Sequence, residues 1–547
     1  MQTRKECSLT RNRRKDLTPR GKEVLDTYLK AISKLKKYPS RAEMVLLGFS
    51  RDTLKDHFGS LEKLKEYAKK NYPEIISEII EEKIKNKAKN KDSLKLIKKY
   101  KRFVITTAIN GAPVHKAFLN NLKVYCKNKN ALLLILPAGN EVNQTDSELS
   151  SEEWVFDKTY LNSNIYISAI KVPPRSVNPL TSLGRIGQRN GTTIVASPKQ
   201  FMEPVAVGDN KIPHIMMSTG AVTKAKYEKK DGTYDKNGLI ALHDHVLGAL
   251  VVEIENNEIY HFTQIQAEKS GSFVERCTYI KNGEVKKLNP SHMVIGDFHV
   301  TETDPTAARA WDELSELCGN PIRVHHDFFS GVSVNHHEEH NQILRAYLMS
   351  QNKLNLEEEL RACAKALDEE TEKCDLVVMV ASNHHDFVSK HYIPRGMYHR
   401  DPQNLDFASK LISPMIRGED PIKYAIEKLI GIKHPEKVRW LKRDESYKVA
   451  EIELGAHGDK GANGSKGSPN TLEKGYGNCV VGHSHTPRIL RGFYQVGTST
   501  YLKLPYTEGT SSWCHTSCLV YPNGARQLIN SIDGRWRLKD GKARRTK

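Results

Sequence analysis

The sequence predicts an α/β protein whose strands end in residues of the metal-ligand type. In the second half of the chain, strand-like apolar runs alternate with helical patterns. Five of those runs end in such residues: Gly296-Asp297, His326-Asp327, Ser382-Asn383, Ala456-His457 and Gly482-His483. Ligands of open α/β sheets bind at the carboxyl ends of strands, so the five ends predict one shared site.

Composition sets the limits of this prediction. At 547 residues the chain is too long for one ordinary core, and we expect three regions: 1–99, 100–288 and 289–547. It has 84 Lys and Arg against 65 Asp and Glu, a formal charge of +19. Such a surplus attracts polyanions, most simply DNA, although a merely basic protein is the alternative.

The lack of a recognisable targeting signal and the pattern of cysteines favour a cytoplasmic protein without a membrane partner. No apolar run approaches the ~20 residues of a membrane span, and no apolar stretch follows the charged N-terminus. The nine cysteines are scattered and odd in number, which is typical of reduced thiols.

Region 1–99 begins with a basic arm and continues with helical patterns. Ser40-Arg41-Ala42-Glu43 is a capping box, and Ser50 and Ser60 precede two further short helices that Gly59 separates. Short helices joined by tight glycine turns form helix-turn-helix motifs, and residues 50–60 resemble the recognition helix of bacterial helix-turn-helix regulators. That resemblance implies DNA contacts from three residues: Arg51, Lys55 and His57. The alternative is a helical bundle used for packing.

Region 100–288 predicts an α/β domain without an evident role. A strand at 102–107, a helix at 116–125 and a strand at 131–136 form a strand–helix–strand unit. Lys281-Asn282-Gly283 joins two later strands and predicts a hairpin. His243-Asp244-His245 imitates a pair of metal ligands, but no partner ligands are identifiable, so we expect a structural role.

Region 289–547 carries the chemistry. Asp297-Phe298-His299 and His483-Ser484-His485 each follow an apolar strand-like run and each space two ligands at i and i+2. On an extended segment such residues point to the same side, so each pair can aim two ligands at one point.

The five segments, in this order, resemble the motifs of the calcineurin-like metallophosphoesterase superfamily: D-x-H, G-D, G-N-H-[DE], a lone His and G-H-x-H. The resemblance implies a β-sandwich flanked by helices and two metal ions. It implies that Asp327 bridges the ions and that the other ligands divide into two sets: Asp297, His299 and His485, and Asn383, His457 and His483. His384 would protonate the leaving oxygen, oriented by Asp386.

Two positions depart from the family pattern. His326 precedes Asp327 where the family has glycine, and the third motif contains an extra histidine, His385. Either His384 or His385 can be the acid, and the family pattern, in which the acid directly follows Asn383, favours His384.

Oxygen and imidazole ligands without thiolates suit Mn²⁺ best, with Mg²⁺, Fe²⁺ or Zn²⁺ as alternatives. Two such ions lower the pKa of an attacking water and hold the oxygens of a phosphate.

Further residues near the predicted site are less specific. Residues 335–340, with three histidines, are expected to open a helix, although a site for a substrate phosphate or a further ion is possible. Residues 387–447 are expected to form a lid, from which Arg395 or His399 can reach the substrate.

The helix-turn-helix-like region and the positive charge favour DNA among the substrates of this superfamily. Nucleases of the SbcCD repair type are members that act on DNA. The whole layout resembles the pre-early DNA-degradation proteins of large tailed bacteriophages. The sequence therefore predicts a metal-dependent DNase acting in the host cytoplasm, with a homo-oligomer left open. The alternatives are a phosphatase or phosphodiesterase for a small-molecule or protein substrate, and a DNA-binding regulator.

Overall fold

The computed structural model describes residues 17–35, 39, 41–73, 96–139, 147–208, 213–229, 231–504, 507 and 509–539. These residues form a mixed α/β protein with several sheets, as the sequence predicts. The chain divides into two compact units, Met1–Lys95 and Leu96–Lys547. The basic N-terminal arm, Ser40, the lysine-rich stretch up to residue 95 and the basic tail from residue 540 lie outside the described residues.

The first unit consists of helices around an apolar core. Its helices are Pro19–Leu35, Arg41–Leu46, Arg51–Phe58 and Leu61–Asn71. Ser50 Oγ accepts a hydrogen bond from the backbone N–H of Thr53, and Ser60 Oγ accepts one from Lys63, so both serines cap a helix as predicted. Leu54 and Leu64 are buried in the core. The identification of a DNA-binding helix-turn-helix stays a prediction.

A five-stranded sheet begins the second unit. Its strands, in spatial order, are Tyr260–Gln266, Gly248–Ile254, Arg102–Ile109, Leu132–Ala138 and Glu153–Trp154. The helix Lys116–Lys129 connects the parallel pair Arg102–Ile109 and Leu132–Ala138, as the strand–helix–strand pattern predicts. The predicted hairpin is also confirmed, within the three strands Phe273–Glu275, Thr278–Lys281 and Glu284–Lys287. Asn282 and Gly283 turn it with positive φ angles of 53° and 78°.

A six-stranded sheet carries three of the predicted strand ends. Its order is Val438–Trp440, Val377–Met379, Ile322–His325, His292–Ile295, His515–Val520 and Arg526–Ser531, and the first four strands are parallel. The helices Pro305–Leu317 and Leu356–Lys373 pack on one face through Trp311 and Leu360. Burial on both faces explains why Val377–Met379 and residues 293–295 are wholly apolar.

A ten-stranded sheet lies against the other face. Its order is Lys448–Val449, Ile452–Glu453, Cys479–Val481, Phe493–Gln495, Arg488–Leu490, Phe201–Val205, His214–Ser218, Thr192–Val195, Ile165–Ile167 and Thr159–Tyr160. Val294 and Val324 of the six-stranded sheet share one apolar core with Val480 and Ile489 of the ten-stranded sheet. The two sheets are therefore packed together.

The predicted boundary at residue 288 does not coincide with a break between compact units. Phe201–Val205, which precedes it, pairs antiparallel with Arg488–Leu490, which follows it. The remaining α-helices of the described residues are Gly184–Asn190, Lys236–His243, Gln342–Ser350, Asn383–Asp386, Leu405–Ile416, Pro421–Tyr424 and Pro469–Tyr476. Within the described part of the chain, no helix combines the length and the apolar character that crossing a membrane requires.

Candidate metal centre

The strand ends of both packed sheets converge at one edge. In the six-stranded sheet, the parallel strands His292–Ile295, Ile322–His325 and Val377–Met379 are followed by Asp297, Asp327 and Asn383. In the ten-stranded sheet, the strands Ile452–Glu453 and Cys479–Val481 are parallel to each other and are followed by His457, His483 and His485. Parallel strands bring their carboxyl ends to the same edge, so all the ligands expected from the sequence gather there.

The first group of ligand atoms combines His299, His485 and two carboxylates. His299 Nε2 lies 3.1 Å from His485 Nε2. His485 Nε2 lies 3.4 Å from Asp297 Oδ2, and His299 Nε2 lies 3.7 Å from Asp327 Oδ2. His299, Asp327 and His485 are buried and close enough to hold a metal ion. We call these residues, with Asp297, the first ligand set.

The second ligand set consists of Asp327, Asn383, His457 and His483. His457 Nε2 lies 3.1 Å from Asp327 Oδ2 and 3.0 Å from Asn383 Oδ1. His483 Nδ1 lies 3.2 Å from the same Asn383 oxygen. Asp327, His457 and His483 can hold a metal ion, and Asp327 is the residue common to both sets.

The residues of the two sets fit divalent cations. Both carboxylate oxygens of Asp297 and Oδ1 of Asp327 are buried without a hydrogen-bond partner in the described protein. A buried carboxylate oxygen without a partner is costly, and a cation removes that cost. The donors are oxygens and imidazole nitrogens, which suit Mn²⁺, Mg²⁺, Fe²⁺ or Zn²⁺.

The backbone at the site is strained. Left-handed φ angles, rare for residues other than glycine, occur at four ligands: His299 (44°), Asp327 (45°), His483 (76°) and His485 (58°). Such conformations cost free energy and cluster at functional sites, where the surrounding structure enforces them. The two packed sheets provide that enforcement here.

Gly482 allows a close approach between the two sheets that a side chain at this position would prevent. A Cβ at this position would collide with Asp297 Oδ1 and would lie 2.9 Å from the Cβ of His326. The glycine of the Gly482-His483 motif therefore lets the ten-stranded sheet bring its two histidines against the carboxylate of the six-stranded sheet.

Burial and mutual charge set the protonation of the ligands. Burial, and then the charge of Asp327, raise the pKa of Asp297 to about 8. Burial alone would also raise the pKa of Asp327, but His457 and the other imidazoles outweigh it and hold that pKa well below its usual value. Burial lowers the pKa of His485 to about 3 and that of His299 well below its usual range, so both rings are neutral at pH 7. Neutral imidazole is the form that binds metal.

His384 lies against the first ligand set. Its ring centroid is 4.6 Å from that of His299, and its Nδ1–H donates a hydrogen bond to the backbone carbonyl of Ser330 at 2.5 Å. His385 is buried, and its Nδ1 accepts a hydrogen bond from the N–H of Ser382 at 3.4 Å. The two neighbouring histidines therefore have different environments, and His384 is the one beside the ligands.

Asp386, the predicted partner of His384, makes its contacts in the structure with other residues. Asp386 accepts a hydrogen bond from Lys390 Nζ at 2.9 Å and lies 3.7 Å from Arg443 Nη2. The Ser330 carbonyl, rather than this carboxylate, orients His384. The helical turn Asn383–Asp386 points the side chains of His384 and Asp386 in different directions, which the sequence motif alone does not reveal.

Sequence reasoning missed His326 as a neighbour of the ligands. It is fully buried, and its Nδ1 lies 3.4 Å from His457 Nδ1. The only signal was its departure from glycine before Asp327. Trp513, also missed, places its ring 4.2 Å from that of His485.

The predicted DNA contacts of the first unit divide into two kinds. Arg51 and Lys55 are exposed on the helix Arg51–Phe58. His57 is only partly exposed, and its Nδ1 lies 3.0 Å from Thr18 Oγ1. This contact joins the helix to the segment before Pro19–Leu35, and the DNA contact of His57 stays a prediction.

The chain is similar to a phage protein. It is 28% identical over 477 residues to Protein A1 of Escherichia phage T5, covering 80% of this chain and 83% of that protein. No family model and no solved structure matches the chain. The similarity supports a phage-related protein.

Proposed function

We propose that this protein is a metal-dependent DNase that hydrolyses phosphodiester bonds with two divalent ions, most simply Mn²⁺. One observation carries the proposal: two ligand sets, buried except for the half-buried Asn383 and His483, share Asp327. Paired metal sites that share a ligand are typical of enzymes that displace groups at phosphorus. A protein that only binds DNA has no use for this arrangement, which disfavours a regulator.

The residues around the ligand sets support phosphodiester hydrolysis. Two divalent ions, when bound, neutralise the phosphate oxygens and lower the pKa of an attacking water. Asn383 contributes a neutral oxygen, which keeps negative charge at the site low. The Ser330 carbonyl holds the Nδ1 proton of His384, leaving Nε2 to donate a proton to the departing oxygen. Proton donation of this kind contributes roughly 10²–10⁴-fold in rate.

The charge of the chain favours DNA as the substrate, and its similarity to a phage protein favours a phage origin. The formal charge of +19 attracts polyanions, and the exposed Arg51 and Lys55 offer contacts to a phosphate backbone. The similarity to a phage protein supports a phage origin. A phage-encoded DNase of this kind would act on host DNA in the host cytoplasm.

Incubation with linear and circular DNA, with and without Mn²⁺, tests the proposal. We expect degradation that EDTA abolishes and Mn²⁺ restores. Hydrolysis of bis(nitrophenyl) phosphate without DNA cleavage would favour a small-substrate phosphodiesterase. Binding of DNA without hydrolysis of either substrate would favour a regulator, and full activity after exhaustive chelation would end the two-metal interpretation.

The first unit provides a separate test of the DNA assignment. Arg51 and Lys55 lie one turn apart, so both can face the same stretch of backbone. Replacing both with Ala should weaken DNA binding and flatten its salt dependence by about 0.9 units of slope for each lost phosphate contact. Fluorescence anisotropy at several salt concentrations measures both quantities.

A matched control removes the same charge from the next helix. Lys69 and Lys70 are exposed on Leu61–Asn71, so their double replacement by Ala changes the net charge equally. If both double variants have the same salt slope, Arg51 and Lys55 make no specific contact, and the helix-turn-helix prediction fails.

A further inference from the structure

Three imidazoles outside both ligand sets lie together in the second unit. The ring of His336 stacks on that of His391, with centroids 3.9 Å apart and an interplanar angle of 13°. His337 lies 3.9 Å from His336 on a tilted ring. His336 and His337 belong to the turn His336–Glu338, and His391 belongs to the helical turn Phe387–Tyr392. We call these three residues the imidazole cluster.

Phe387 links the imidazole cluster to the metal centre. Its ring centroid is 5.1 Å from that of His336 and 4.8 Å from that of His384. Gly331, at a φ of 71°, permits this position, because a Cβ there would lie 2.7 Å from Phe387 Cδ2. One aromatic ring therefore separates the imidazole cluster from the histidine assigned to protonate the leaving group.

The imidazole cluster keeps unused hydrogen-bonding capacity. The Nδ1 atoms of His336 and His391 are buried without a partner among the described residues. The ring of His337 is exposed, and so is Arg395, one turn after His391. Buried polar atoms are nearly always bonded, so an unpaired pair at the margin of a catalytic site indicates a place for a ligand.

The surroundings of the cluster favour an anion. Burial, and then His337, His391 and Arg395, lower the pKa of His336 to about 4. Burial, and then Arg395, lower the pKa of His391, while Asp386 opposes them. A bound anion offsets the repulsion among the positively charged forms of these groups and thereby raises the pKa of the two histidines. The other charged groups on the contributing segments are Lys390, Glu338 and Glu339.

A metal ion is a poor alternative occupant. Stacked, nearly parallel rings do not direct their nitrogen lone pairs at one point. Within the described ranges, the groups of His, Cys, Asp and Glu that converge well enough for a metal are the two ligand sets. Imidazolium and guanidinium groups, by contrast, donate charge-assisted hydrogen bonds to phosphate.

We infer that the imidazole cluster and Arg395 bind a second phosphodiester of the DNA strand whose neighbouring phosphodiester is hydrolysed. This inference rests on the proposed function. A contact to phosphate positions a strand without reading its bases, so the subsite acts on DNA of any sequence. It also requires a substrate longer than the reacting diester itself.

Two variants and two controls test the subsite. His391→Gln and Arg395→Gln, made singly and together, remove donors from it. His434→Gln and Arg400→Gln are matched controls, because His434 is half-buried like His391, Arg400 is exposed like Arg395, and neither belongs to the imidazole cluster. KM is measured with Mn²⁺ for oligonucleotides of increasing length and for bis(nitrophenyl) phosphate, and anisotropy of a fluorescent oligonucleotide in EDTA measures binding without hydrolysis.

We expect the double variant to raise KM for oligonucleotides roughly tenfold or more, and to raise it much less for bis(nitrophenyl) phosphate. The wild-type enzyme should also gain oligonucleotide affinity more steeply than the double variant as the pH falls toward 4, because only the wild type retains all three imidazoles and Arg395. Arg395→Gln alone, at an exposed position, keeps the test valid if a histidine variant misfolds.

The outcomes separate this inference from the proposed function. Equal KM values for variants and controls, in an enzyme that cuts DNA, overturn the subsite and leave the DNase intact. If the wild type cuts no DNA, the proposed function fails, and anisotropy then decides: a loss of affinity specific to the cluster variants keeps a phosphate site. If the cluster variants and the controls bind the oligonucleotide equally, or if no protein binds it, the phosphate site is overturned.

Discussion

Two segments of the second unit space two residues of the metal-ligand type at i and i+2, and their environments differ completely. In His243-Asp244-His245, Asp244 Oδ1 lies 3.0 Å from His243 Nδ1, and Oδ2 lies 3.5 Å from the Nζ of the fully buried Lys199. His245 accepts a hydrogen bond from the hydroxyl of Tyr227 and donates one to the carbonyl of Thr223, both at 2.9 Å. Protein groups therefore satisfy Asp244 and His245, as the predicted structural role requires.

The segment Asp297-Phe298-His299 is left without such partners. Both carboxylate oxygens of Asp297 lack a hydrogen bond within the described structure, and His299 Nε2 faces the Nε2 of His485. The two segments share the i, i+2 spacing of metal-type residues but not internal partners. Unsatisfied polar atoms, more than the motif letters, distinguish a ligand from a structural residue.

The sharpest test of this distinction is Asp327→Ala. Both ligand sets lose their common carboxylate, so we expect both ions to bind weakly and hydrolysis to fall about 10³-fold or more, since metal ions supply several kcal/mol of transition-state stabilisation. Metal content and DNA hydrolysis are measured on the same preparation. Asp244→Asn is the matched control and should keep both metal ions; a variant of Asp327 with full metal content and activity would refute the shared ligand.

Acid catalysis provides the next largest effect. His384→Ala should retain both metal ions but lose roughly 10²–10⁴-fold in turnover on DNA, because the leaving oxygen is no longer protonated. The loss should shrink for a nitrophenyl diester, whose leaving group needs no proton. His385→Ala is the control beside it. If His385→Ala shows this pattern and His384→Ala does not, the acid is off by one residue.

The parts of the site that sequence predicts are those that strand geometry determines. Asp297, Asp327 and Asn383 follow strands that patterning identifies, and parallel pairing brings their ends to one edge whatever the intervening chain does. Residues 201–205, in contrast, pair with residues 488–490 from the far end of the chain. No local pattern reports a pairing between such distant segments, so the division at residue 288 could not be judged from sequence.

Local partners are equally hidden from sequence. The carbonyl of Ser330 orients His384, whereas Asp386 contacts Lys390 and Arg443. Thr18 engages His57 in the same way. Each contact depends on side-chain direction and on a partner at least several residues away, which the letters of a motif do not specify.

Stability in the absence of metal distinguishes the two segments directly. Asp244→Asn breaks a buried ion pair and leaves Lys199 without its partner, so we expect a loss of about 3–5 kcal/mol in the free energy of unfolding. Asp297→Asn should not lower it and should raise it at pH 7, because burial disfavours this charge and raises its pKa to about 8, so the folded wild type must take up a proton that the neutral amide does not need. Urea denaturation in EDTA measures both. If both substitutions lower the free energy of unfolding equally, the hydrogen bonding of the carboxylate does not distinguish the two segments.

The smallest effect concerns how a satisfied carboxylate responds to pH. Glu253, in the five-stranded sheet, accepts hydrogen bonds from Arg102 Nε and Arg276 Nη2, both at 2.9 Å. Burial alone would raise its pKa, but Arg276 and these hydrogen bonds outweigh it and lower the pKa to about 2. A lowered pKa means that the folded protein binds this proton less tightly than the unfolded chain. The stabilisation is therefore present above pH 4.5 and is lost as the pH falls toward 2.

Glu253→Gln should remove this part of the pH dependence. Each unit of pKa shift corresponds to 1.36 kcal/mol, so we expect the wild type to lose about 2–3 kcal/mol more than the variant between pH 5 and 2.5. Glu203→Gln is the control, because Glu203 pairs with Arg488 in a partly exposed ion pair worth less than about 1 kcal/mol. Urea denaturation across this range measures the difference. If both variants follow the wild-type curve, Glu253 is no better satisfied than a surface carboxylate. The contrast between paired and unpaired buried charges would then rest on Asp244 alone.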